Sequence, residues 1–400
     1  MPNVYDVTDW SIPGSSVTCY TDLGAIINNM IADIKVQQPT QASKPGAVIY
    51  IPPGDYSLKT RVVVDISYLC IKGSGHGFTS SSIRYNSGST TGWAEIWPGG
   101  SHVRVENTDG NAEAFIVTRT GNPRLSGIEF ENFCLDGVSF TSTQNSYTNG
   151  KVGIRFASDT DSARISGMGM VYLEHGLVAN NVDAMSVTDN FIAECGNCIE
   201  LTGAGQATKV TNNEIGAGFH GYSIFAEGHL GLLVAQNNIF PRGKDSVHFK
   251  NCSLSSITGN RMHAFYPGMI TLEGTCPENL ISGNHLYRQP ETYGPFQSSN
   301  NGLDDLFGLI QINGSNNSVI GNHVSFNVAA GSITPSGSTP TMILVKSGDG
   351  NYLASNHFTA SVSVKTVVLD GSTTNTHVLD SGTAAQLQAY STSYGFRATP

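Results

Sequence analysis

The residues of this chain best suited to chemistry are four carboxylates between positions 183 and 200: Asp183, Asp189, Glu194 and Glu200. Two carboxyl groups that flank a glycosidic bond can cleave it. One protonates the leaving oxygen, and the other stabilises or attacks the anomeric carbon or takes the proton of an incoming hydroxyl. Only 13% of the residues are charged, about half the usual share. A carboxylate at a position that is otherwise uncharged therefore needs a functional reason.

Other candidate residues for binding lie on predicted strands. Alternation of apolar and polar residues around Glu200 places its side chain outward. The same pattern recurs along the chain and predicts one outward row, formed by Glu200, Phe225, His248, Thr271 and Gln311. A carboxylate, an aromatic ring and an imidazole on neighbouring strands favour a sugar-binding strip.

Two of these binding candidates have alternative interpretations. His248 could be a metal ligand or a general base, but no second ligand stands at a convincing spacing. Polar substrate contact or a surface position is therefore favoured for it. Arg288 begins an insertion and could bond sugar hydroxyls, or it could be an ordinary surface arginine.

These residues lie within a repeated motif, apolar-x-x-Asn-x-apolar. The motif occurs seven times, with its asparagine at Asn190, Asn213, Asn237, Asn260, Asn284, Asn322 and Asn356. The first four steps are 23 or 24 residues, and the last two are 38 and 34. A period of this length with short apolar runs is typical of stacked coils, each made of three short strands. Stacking predicts an asparagine ladder with a repeat of roughly 4.8 Å, in which each asparagine adopts the left-handed turn conformation.

The predicted fold class is all-β: a single-stranded right-handed parallel β-helix with an N-terminal capping helix. Thr21 and Asp22 precede an amphipathic run over 23–31, which predicts a helix that covers the open end of the solenoid. No linker interrupts the pattern. We expect one domain over 1–400, with the cap over about 1–45, regular coils over about 46–380 and a tail over about 381–400.

The two long steps in the repeat predict insertions. The first, from Tyr287 to Asp305, contains two tyrosines, a phenylalanine and an arginine, which favour a wall or lid over a site. The second, from Ala329 to Pro340, is rich in glycine, serine, threonine and proline and indicates only a loop.

Composition excludes several classes of function. The net charge is −10 and no basic patch is present, so a nucleic-acid partner is not expected. An acidic surface favours a neutral polymer over a polyanion. No run of 18 apolar residues predicts a membrane span. The seven cysteines, including the Cys195-x-x-Cys198 pair, lack a second pair at a zinc-like spacing and are interpreted as buried and unreactive.

The start of the chain leaves its compartment open. Met1-Pro2-Asn3-Val4 has no basic region followed by an apolar run. Removal of a leader and a cytoplasmic location both fit this start, and we expect a secreted protein.

Particular motifs resemble known families. The predicted helix, the turn over 52–56 (Pro-Pro-Gly-Asp-Tyr), Leu135-Asp136-Gly137 and the asparagine ladder resemble the pectate-lyase-like β-helix superfamily. That resemblance covers nearly the whole chain and concerns the fold, which does not fix function. The segments 2–10, 22–27 and 192–203 are similar to the inulin fructotransferases.

The closer resemblance implies a specific activity. Members of that family remove the two terminal fructose units of inulin, a neutral β-2,1 fructan, and close them into a cyclic difructose dianhydride, DFA I or DFA III. A hydroxyl of the departing pair attacks in place of water. Some relatives hydrolyse the cyclic product instead. The resemblance also implies a homotrimer with sites where chains meet, and neither a metal nor a cofactor.

The resemblance implies a catalytic Asp and Glu eleven residues apart, and two pairs fit: Asp183 with Glu194, and Asp189 with Glu200. We favour Asp183 and Glu194, because both fall at predicted corners where other coils carry uncharged residues. Asp189 stands beside a ladder asparagine, where a turn-capping role is the simpler interpretation. The favoured pair occupies different corners of the coil, so a neighbouring chain is expected to complete the site.

Three other functions remain open at this point. A dianhydride hydrolase of the same family would share the scaffold and the carboxylates. A pectin-active β-helix enzyme would need a calcium site or several clustered aspartates, and neither is visible among so few charges. A non-catalytic trimeric fibre protein would bind glycans without turnover.

Overall fold

The structure, a computed structural model, describes residues 4–40, 46–77, 99–107, 113–121, 123–138, 149–217, 221–240, 245–264, 268–289, 307–327 and 339–379. Over these ranges the chain forms 39 strands and one α-helix, and successive coils pair their strands in parallel. The predicted all-β right-handed parallel β-helix is confirmed. Two compact units, Met1–Leu201 and Thr202–Pro400, are described separately.

The first unit has three long faces, named sheets A, B and C in the order in which a coil visits them. Sheet A contains β1 (Val4–Asp6), β2 (Ala47–Ile51), β5 (Leu69–Gly73), β9 (Glu129–Glu131), β13 (Arg164–Ser166) and β17 (Ser186–Thr188). Sheet B contains β3 (Gly54–Leu58), β6 (Ser101–Val105), β10 (Cys134–Asp136), β14 (Gly169–Val171) and β18 (Phe191–Cys195). Sheet C contains β4 (Val62–Val64), β7 (Glu113–Val117), β11 (Val152–Phe156), β15 (His175–Asn180) and β19 (Asn197–Thr202). A short sheet D, at the corner after sheet C, contains β8 (Leu125–Ser126), β12 (Thr160–Asp161) and β16 (Val182–Asp183).

The second unit repeats the three faces. Its sheet A contains β20 (Lys209–Thr211), β23 (Leu233–Ala235), β26 (Ser256–Thr258), β29 (Leu280–Ser282), β32 (Ser318–Ile320), β35 (Tyr352–Ala354) and β39 (His377–Leu379). Sheet B contains β21 (Glu214–Ala217), β24 (Asn238–Ile239), β27 (Arg261–Ala264), β30 (His285–Arg288), β33 (His323–Phe326) and β36 (His357–Ala360). Sheet C contains β22 (Tyr222–Glu227), β25 (Asp245–Lys250), β28 (Ile270–Glu273), β31 (Gly308–Asn313), β34 (Thr341–Asp349) and β37 (Lys365–Leu369), while β38 (Thr373–Thr374) pairs with β34.

The predicted asparagine ladder is present in the second unit. The side-chain amide of Asn237 donates to Oδ1 of Asn260 at 2.9 Å, and the backbone N–H of Asn237 donates to the same oxygen at 3.0 Å. Equivalent pairs link the ladder members 213, 237, 260, 284, 322 and 356. All these side chains are buried, so the ladder satisfies buried polar groups that would otherwise be costly.

One detail of the turn prediction was wrong. The residue with positive φ is not the ladder asparagine but the residue before it, as in Asp189, Asn212, Gln236 and Gly259. The ladder asparagine must turn its side chain into the coil to reach the next coil. The left-handed bend therefore falls one residue earlier, where Asp, Asn and Gly tolerate it best.

The predicted N-terminal helix is confirmed and extends over Leu23–Gln37. Oδ1 of Asp22 accepts from the backbone N–H of Ala25 at 3.4 Å, and also from the N–H groups of Lys59 and Thr60. The buried face of the helix, which includes Ile27 and Met30, packs against the first coil. The cap therefore covers apolar surface that an open end would expose. None of the helical structure described is long and apolar enough to cross a membrane.

The seven cysteines carry no disulfide, all of them lying in described segments, and all but Cys70 are buried. The interpretation of Cys195 and Cys198 as buried core residues is confirmed. Most of the first predicted insertion (290–305), most of the second (329–338) and the predicted tail over 381–400 lie outside the described residues.

Candidate active site

Asp183 ends the short strand β16, at the corner that follows sheet C. Its neighbour in register is Asp161 on the preceding coil. Arg124 reaches both carboxylates: Nη2 lies 2.8 Å from Oδ2 of Asp183, and Nε lies 3.6 Å from Oδ2 of Asp161. The hydrogen bond to Asp183 raises the pKa of Arg124. Asp183 is thus held as an ion-paired carboxylate whose side chain is 24% exposed.

The same corner borders a cleft in the first unit. The volume of the cleft is about 620 Å³, and it is lined by the end of the helix together with Tyr68, Arg119, Arg124 and Ser126. Arg124 therefore connects this cleft to Asp183. Glu194 does not line it.

Glu194 lies near the end of β18, at the corner between sheets B and C. It is buried, with 4% of its surface exposed, and its φ is +55°. Tyr172, on the preceding coil, has φ +56° and donates its backbone N–H to the carbonyl of Glu194 at 3.2 Å. A left-handed conformation is unfavourable for both residue types. The corner therefore imposes this conformation on two successive coils, and at Glu194 it fixes a buried carboxyl group.

One chain does not bring Asp183 and Glu194 together. On one coil, sheet C strand β15 (His175–Asn180) runs from the corner of Tyr172 to the corner of Asp183. Six strand residues span about 20 Å. The prediction that the favoured carboxylates occupy different corners is confirmed.

The alternative pair is separated as well, and its two members have evident structural interactions. Asp189 occupies the left-handed turn between sheets A and B, with φ +58°, and its Oδ2 accepts from Oγ1 of Thr188 at 3.2 Å. This geometry matches the turn interpretation. Glu200 lies on sheet C, where it contacts Nδ1 of His175 and accepts from Nδ2 of Asn197 at 3.0 Å. The hydrogen bond to Glu200 raises the pKa of His175 against the opposing effect of burial.

In the second unit, the row of Phe225, His248, Thr271 and Gln311 is in register as predicted. It is not an open strip, however, because His248, Thr271 and Gln311 are each less than 8% exposed. Contact of Phe225 and His248 with substrate stays a prediction.

His248 is held by two carboxylates. Its Nδ1 lies 2.7 Å from Oδ2 of Asp245, and its Nε2 lies 2.8 Å from Oε2 of Glu273. Burial lowers the pKa of His248, but the hydrogen bonds and charges of Asp245 and Glu273 outweigh burial and raise it. The rings of Tyr222 and Phe225 pack against the imidazole at 5.2 and 5.6 Å.

Arg288 ends β30 and is fully buried, with its guanidinium 5.7 Å from the ring centroid of Phe326. This burial does not support direct contact with sugar hydroxyls. The residue sits at the end of a sheet B strand rather than in an exposed loop, and its proposed contact with substrate stays a prediction.

Sequence reasoning did not find four residues that organise these sites: Arg124, His175, Asp245 and Glu273. For two of them, the sequence spacing could have indicated the contact. His175 and Glu273 each lie 25 residues from the side chain that they contact, which is close to one coil. Arg124 lies 59 residues before Asp183 and carried no such signal.

One group of three side chains in the described segments has ligand atoms within 4.8 Å of one another: Cys70, Glu129 and Glu131 on sheet A. Burial and the two glutamates raise the pKa of the Cys70 thiol to about 12. The amine of Lys72 already lies 3.3 Å from Glu131. A protonated thiol and a competing ammonium make this a poor metal site.

Comparison with known proteins supplies a family context. Residues 283–400 match a family model described as the beta helix repeat of inulin fructotransferase, and residues 105–301 match one described as periplasmic copper-binding protein (NosD). An inulin fructotransferase (DFA-I-forming) of Arthrobacter globiformis is 53% identical over 99% of both chains.

Solved structures agree over the same length. A DFA-IIIase from Arthrobacter chlorophenolicus, crystallised without its lid, superposes with a TM-score of 0.90 at 51% identity and covers 96% of each chain. The same enzyme in complex with DFA-III gives a TM-score of 0.89 at 48% identity, again over 96% of each chain.

Proposed function

The chain belongs to the inulin fructotransferase family, and on that premise we propose that it releases a cyclic difructose dianhydride from the end of inulin. The observation that carries this proposal is the 53% identity to a DFA-I-forming inulin fructotransferase along the whole chain. The reaction is an intramolecular fructosyl transfer. It breaks the bond between the anomeric carbon of the second fructose and the oxygen of the third, and a hydroxyl of the terminal fructose takes the place of that oxygen.

We assign the two carboxyl functions of this reaction to Asp183 and Glu194. Arg124 forms an ion pair with the Asp183 carboxylate and fixes its orientation, which suits attack on, or charge stabilisation of, the anomeric carbon. Glu194, shielded from water, delivers a proton to the departing oxygen of the third fructose. The hydroxyl that closes the ring then returns a proton to the carboxylate left on Glu194, so the enzyme is regenerated and no water is consumed.

The active site is completed by a second copy of the chain. Asp183 and Glu194 lie at the corners at opposite ends of the sheet C strands. A strand of this length separates them by about 20 Å, which is too far for both to act on one bond. A homotrimer places one corner of a chain beside the other corner of its neighbour. Shielding of this site by closely packed chains also favours ring closure over hydrolysis.

Glu200, Phe225, His248 and Arg288 remain proposed contacts for fructosyl units. Among these residues, Glu200 has the strongest support as a substrate contact. It lies on β19, the strand directly after Glu194, and its carboxylate is held by His175 and Asn197. We propose that the protein is secreted, because inulin is a polymer too large to enter a cell and would be met outside it.

A second candidate function is hydrolysis of the dianhydride, and the DFA-IIIase structures at 48–51% identity favour it. Incubation with inulin followed by mass spectrometry separates the two functions. A disaccharide one water lighter than difructose supports transfer, and its linkage distinguishes DFA I from DFA III. Fructose or linear difructose overturns transfer. Consumption of the dianhydride with no action on inulin establishes the hydrolase.

The carboxylate assignment is tested with Asp183→Asn and Glu194→Gln, and with Asp189→Asn as the matched control. We expect each of the first two changes to lower kcat by at least about 10³-fold. Asp189→Asn should stay within about threefold of the wild-type rate, because Asn occupies the same turn elsewhere in the chain. Activity of Asp183→Asn or Glu194→Gln within tenfold of wild type would rule out that residue.

A further inference from the structure

Sheet B of the second unit carries a column of three histidines outside the proposed active site. His285, His323 and His357 begin β30, β33 and β36 and pair with one another in register. The ring centroids of His285 and His323 are 4.9 Å apart, and those of His323 and His357 are 4.7 Å apart. The rings of His285 and His323 are stacked, with an interplanar angle of 16°, and those of His323 and His357 are tilted by 32°. Nothing in the proposed fructosyl transfer uses them.

The imidazole rings of the column can be reached by a cation from solvent. His285 and His357 are exposed and His323 is half-buried. Neutral imidazole is the form that ligates transition metals.

We propose that this histidine column binds one divalent transition-metal ion, of the class of Ni²⁺, Cu²⁺ and Zn²⁺, between His323 and one of its neighbours. Such ions take imidazole nitrogens at about 2.0–2.1 Å, so two coordinating nitrogens lie roughly 3–4 Å apart. The lone pair of each nitrogen lies in the plane of its ring, so two neighbouring rings must turn out of the stack to share an ion. Exposed histidine side chains can make this change by rotating about χ1 and χ2. Water fills the remaining positions. The column offers two overlapping sites that share His323, which limits it to one tightly held ion.

The neighbouring charges decide which pair is preferred. Arg261 is next to His285 in the register of the same column, and its Nη1 donates to Oδ1 of Asn238 at 2.9 Å. A fixed positive charge at that end disfavours a cation beside His285. At the other end, Oγ1 of Thr359 lies 3.2 Å from Nε2 of His323 and adds a neutral oxygen donor. The preferred pair is therefore His323 with His357.

The test is calorimetric titration of the tag-free full-length protein with NiCl₂ at neutral pH. We expect one ion per chain with a dissociation constant in the micromolar range. His323→Gln should weaken binding at least tenfold, and His357→Gln should weaken it more than His285→Gln does. His377→Gln, an exposed histidine on sheet A, is the matched control and should bind as wild type.

Three outcomes would overturn the proposal. They are wild-type affinity in His323→Gln, an equal loss in His377→Gln, and no binding by the wild-type protein. Electron paramagnetic resonance of bound Cu²⁺ gives an independent measurement, in which coupling to two nitrogens is expected and coupling to none contradicts the site. Arg261→Gln, which leaves all three histidines in place, should let His285 replace His357 as a ligand, so His357→Gln should cost less affinity in that background. An unchanged cost would contradict the role given to Arg261.

Discussion

Asp183 and Asp189 each precede a glutamate by eleven residues, but the two aspartates have different structural positions. Asp189 fills a left-handed turn position that asparagine, glutamine and glycine fill on other coils, so its type is explained by the backbone. Asp183 stands on a three-stranded corner sheet and is bound by an arginine. A carboxylate that is ion-paired at the edge of a cleft is better placed for chemistry than one that caps a turn.

Arg124 is predicted to position Asp183. Replacing Arg124 with Gln removes the 2.8 Å ion pair, and we expect kcat to fall about 10²-fold because the carboxylate loses its fixed orientation. KM should change little, because the substrate contacts remain. Steady-state kinetics check this. Arg164→Gln, at an exposed position on sheet A, is the control, and an equal fall in both variants would contradict a positioning role.

His248 is predicted to make stability depend on pH. Its folded-state pKa is raised by Asp245 and Glu273 despite burial. The stabilisation is therefore fully present below the unfolded-state pKa of about 6.5 and is lost as the pH rises through the folded-state pKa. Every tenfold gain in the proton affinity of the ring on folding corresponds to about 1.4 kcal/mol of stability.

Denaturant unfolding of the wild type and of His248→Gln from pH 5.5 to 9 measures this effect. The free energy of unfolding should fall more steeply with pH in the wild type. Parallel curves for the two proteins would mean that the charge of His248 is not linked to folding.

At the level of elements, the asparagine ladder ties each coil of the second unit to the next. Asn260 donates to Val234 O and to Asn284 Oδ1, and it accepts from Asn237. All of these contacts are buried. A ladder member therefore links polar groups on three successive coils, and its loss cannot be repaired by water.

Asn260→Ala is predicted to destabilise the protein by about 2–4 kcal/mol, because it leaves several buried donors and acceptors without hydrogen-bond partners. Asn238→Ala is the matched control, since the side chain of Asn238 bonds the exposed side chains of Glu214 and Arg261 and its loss should cost less than about 1 kcal/mol. Chemical denaturation of both variants checks the difference. Equal losses of unfolding free energy in the two variants would mean that a buried ladder asparagine stabilises the protein no more than a surface asparagine does.

At the level of the whole molecule, the proposed catalytic pair depends on assembly, because Asp183 and Glu194 lie at different corners of one chain. If neighbouring chains supply the two carboxylates, two inactive variants can complement each other. Asp183→Asn and Glu194→Gln, unfolded and refolded together in equal amounts, should recover about a quarter of wild-type activity, because one interface in four joins two intact residues in a random cyclic trimer.

Each variant refolded alone is the control and should stay inactive. Sedimentation should find a trimer in every sample. A trimer without recovered activity would place both carboxylates of one site in a single chain, and a monomer with activity would remove the shared site altogether.

The coil, the ladder and the cap could be predicted from the order of the amino acids alone. Each follows from a local or periodic rule: alternation along a strand, one asparagine per turn, and an N-cap before an amphipathic run. Because successive coils stack in register, a repeated residue type such as Asn237 predicts its own neighbours. The prediction of a single domain belongs to the same reasoning and stays a prediction.

The contacts between side chains on different coils became visible only in the folded molecule. Arg124 reaches Asp183 across 59 residues, and His248 lies between Asp245 and Glu273. Insertions and corners of unequal length set the register between coils, so the contact of Arg124 with Asp183 cannot be read from sequence spacing, whereas the separation of His248 and Glu273 by 25 residues is close to one coil. Burial likewise depends on what covers a face, which is why His248 is hidden at a position where the alternating pattern alone predicts exposure. Arg288, which begins an insertion in the sequence, instead shares the inward face of Leu286 at the end of a strand.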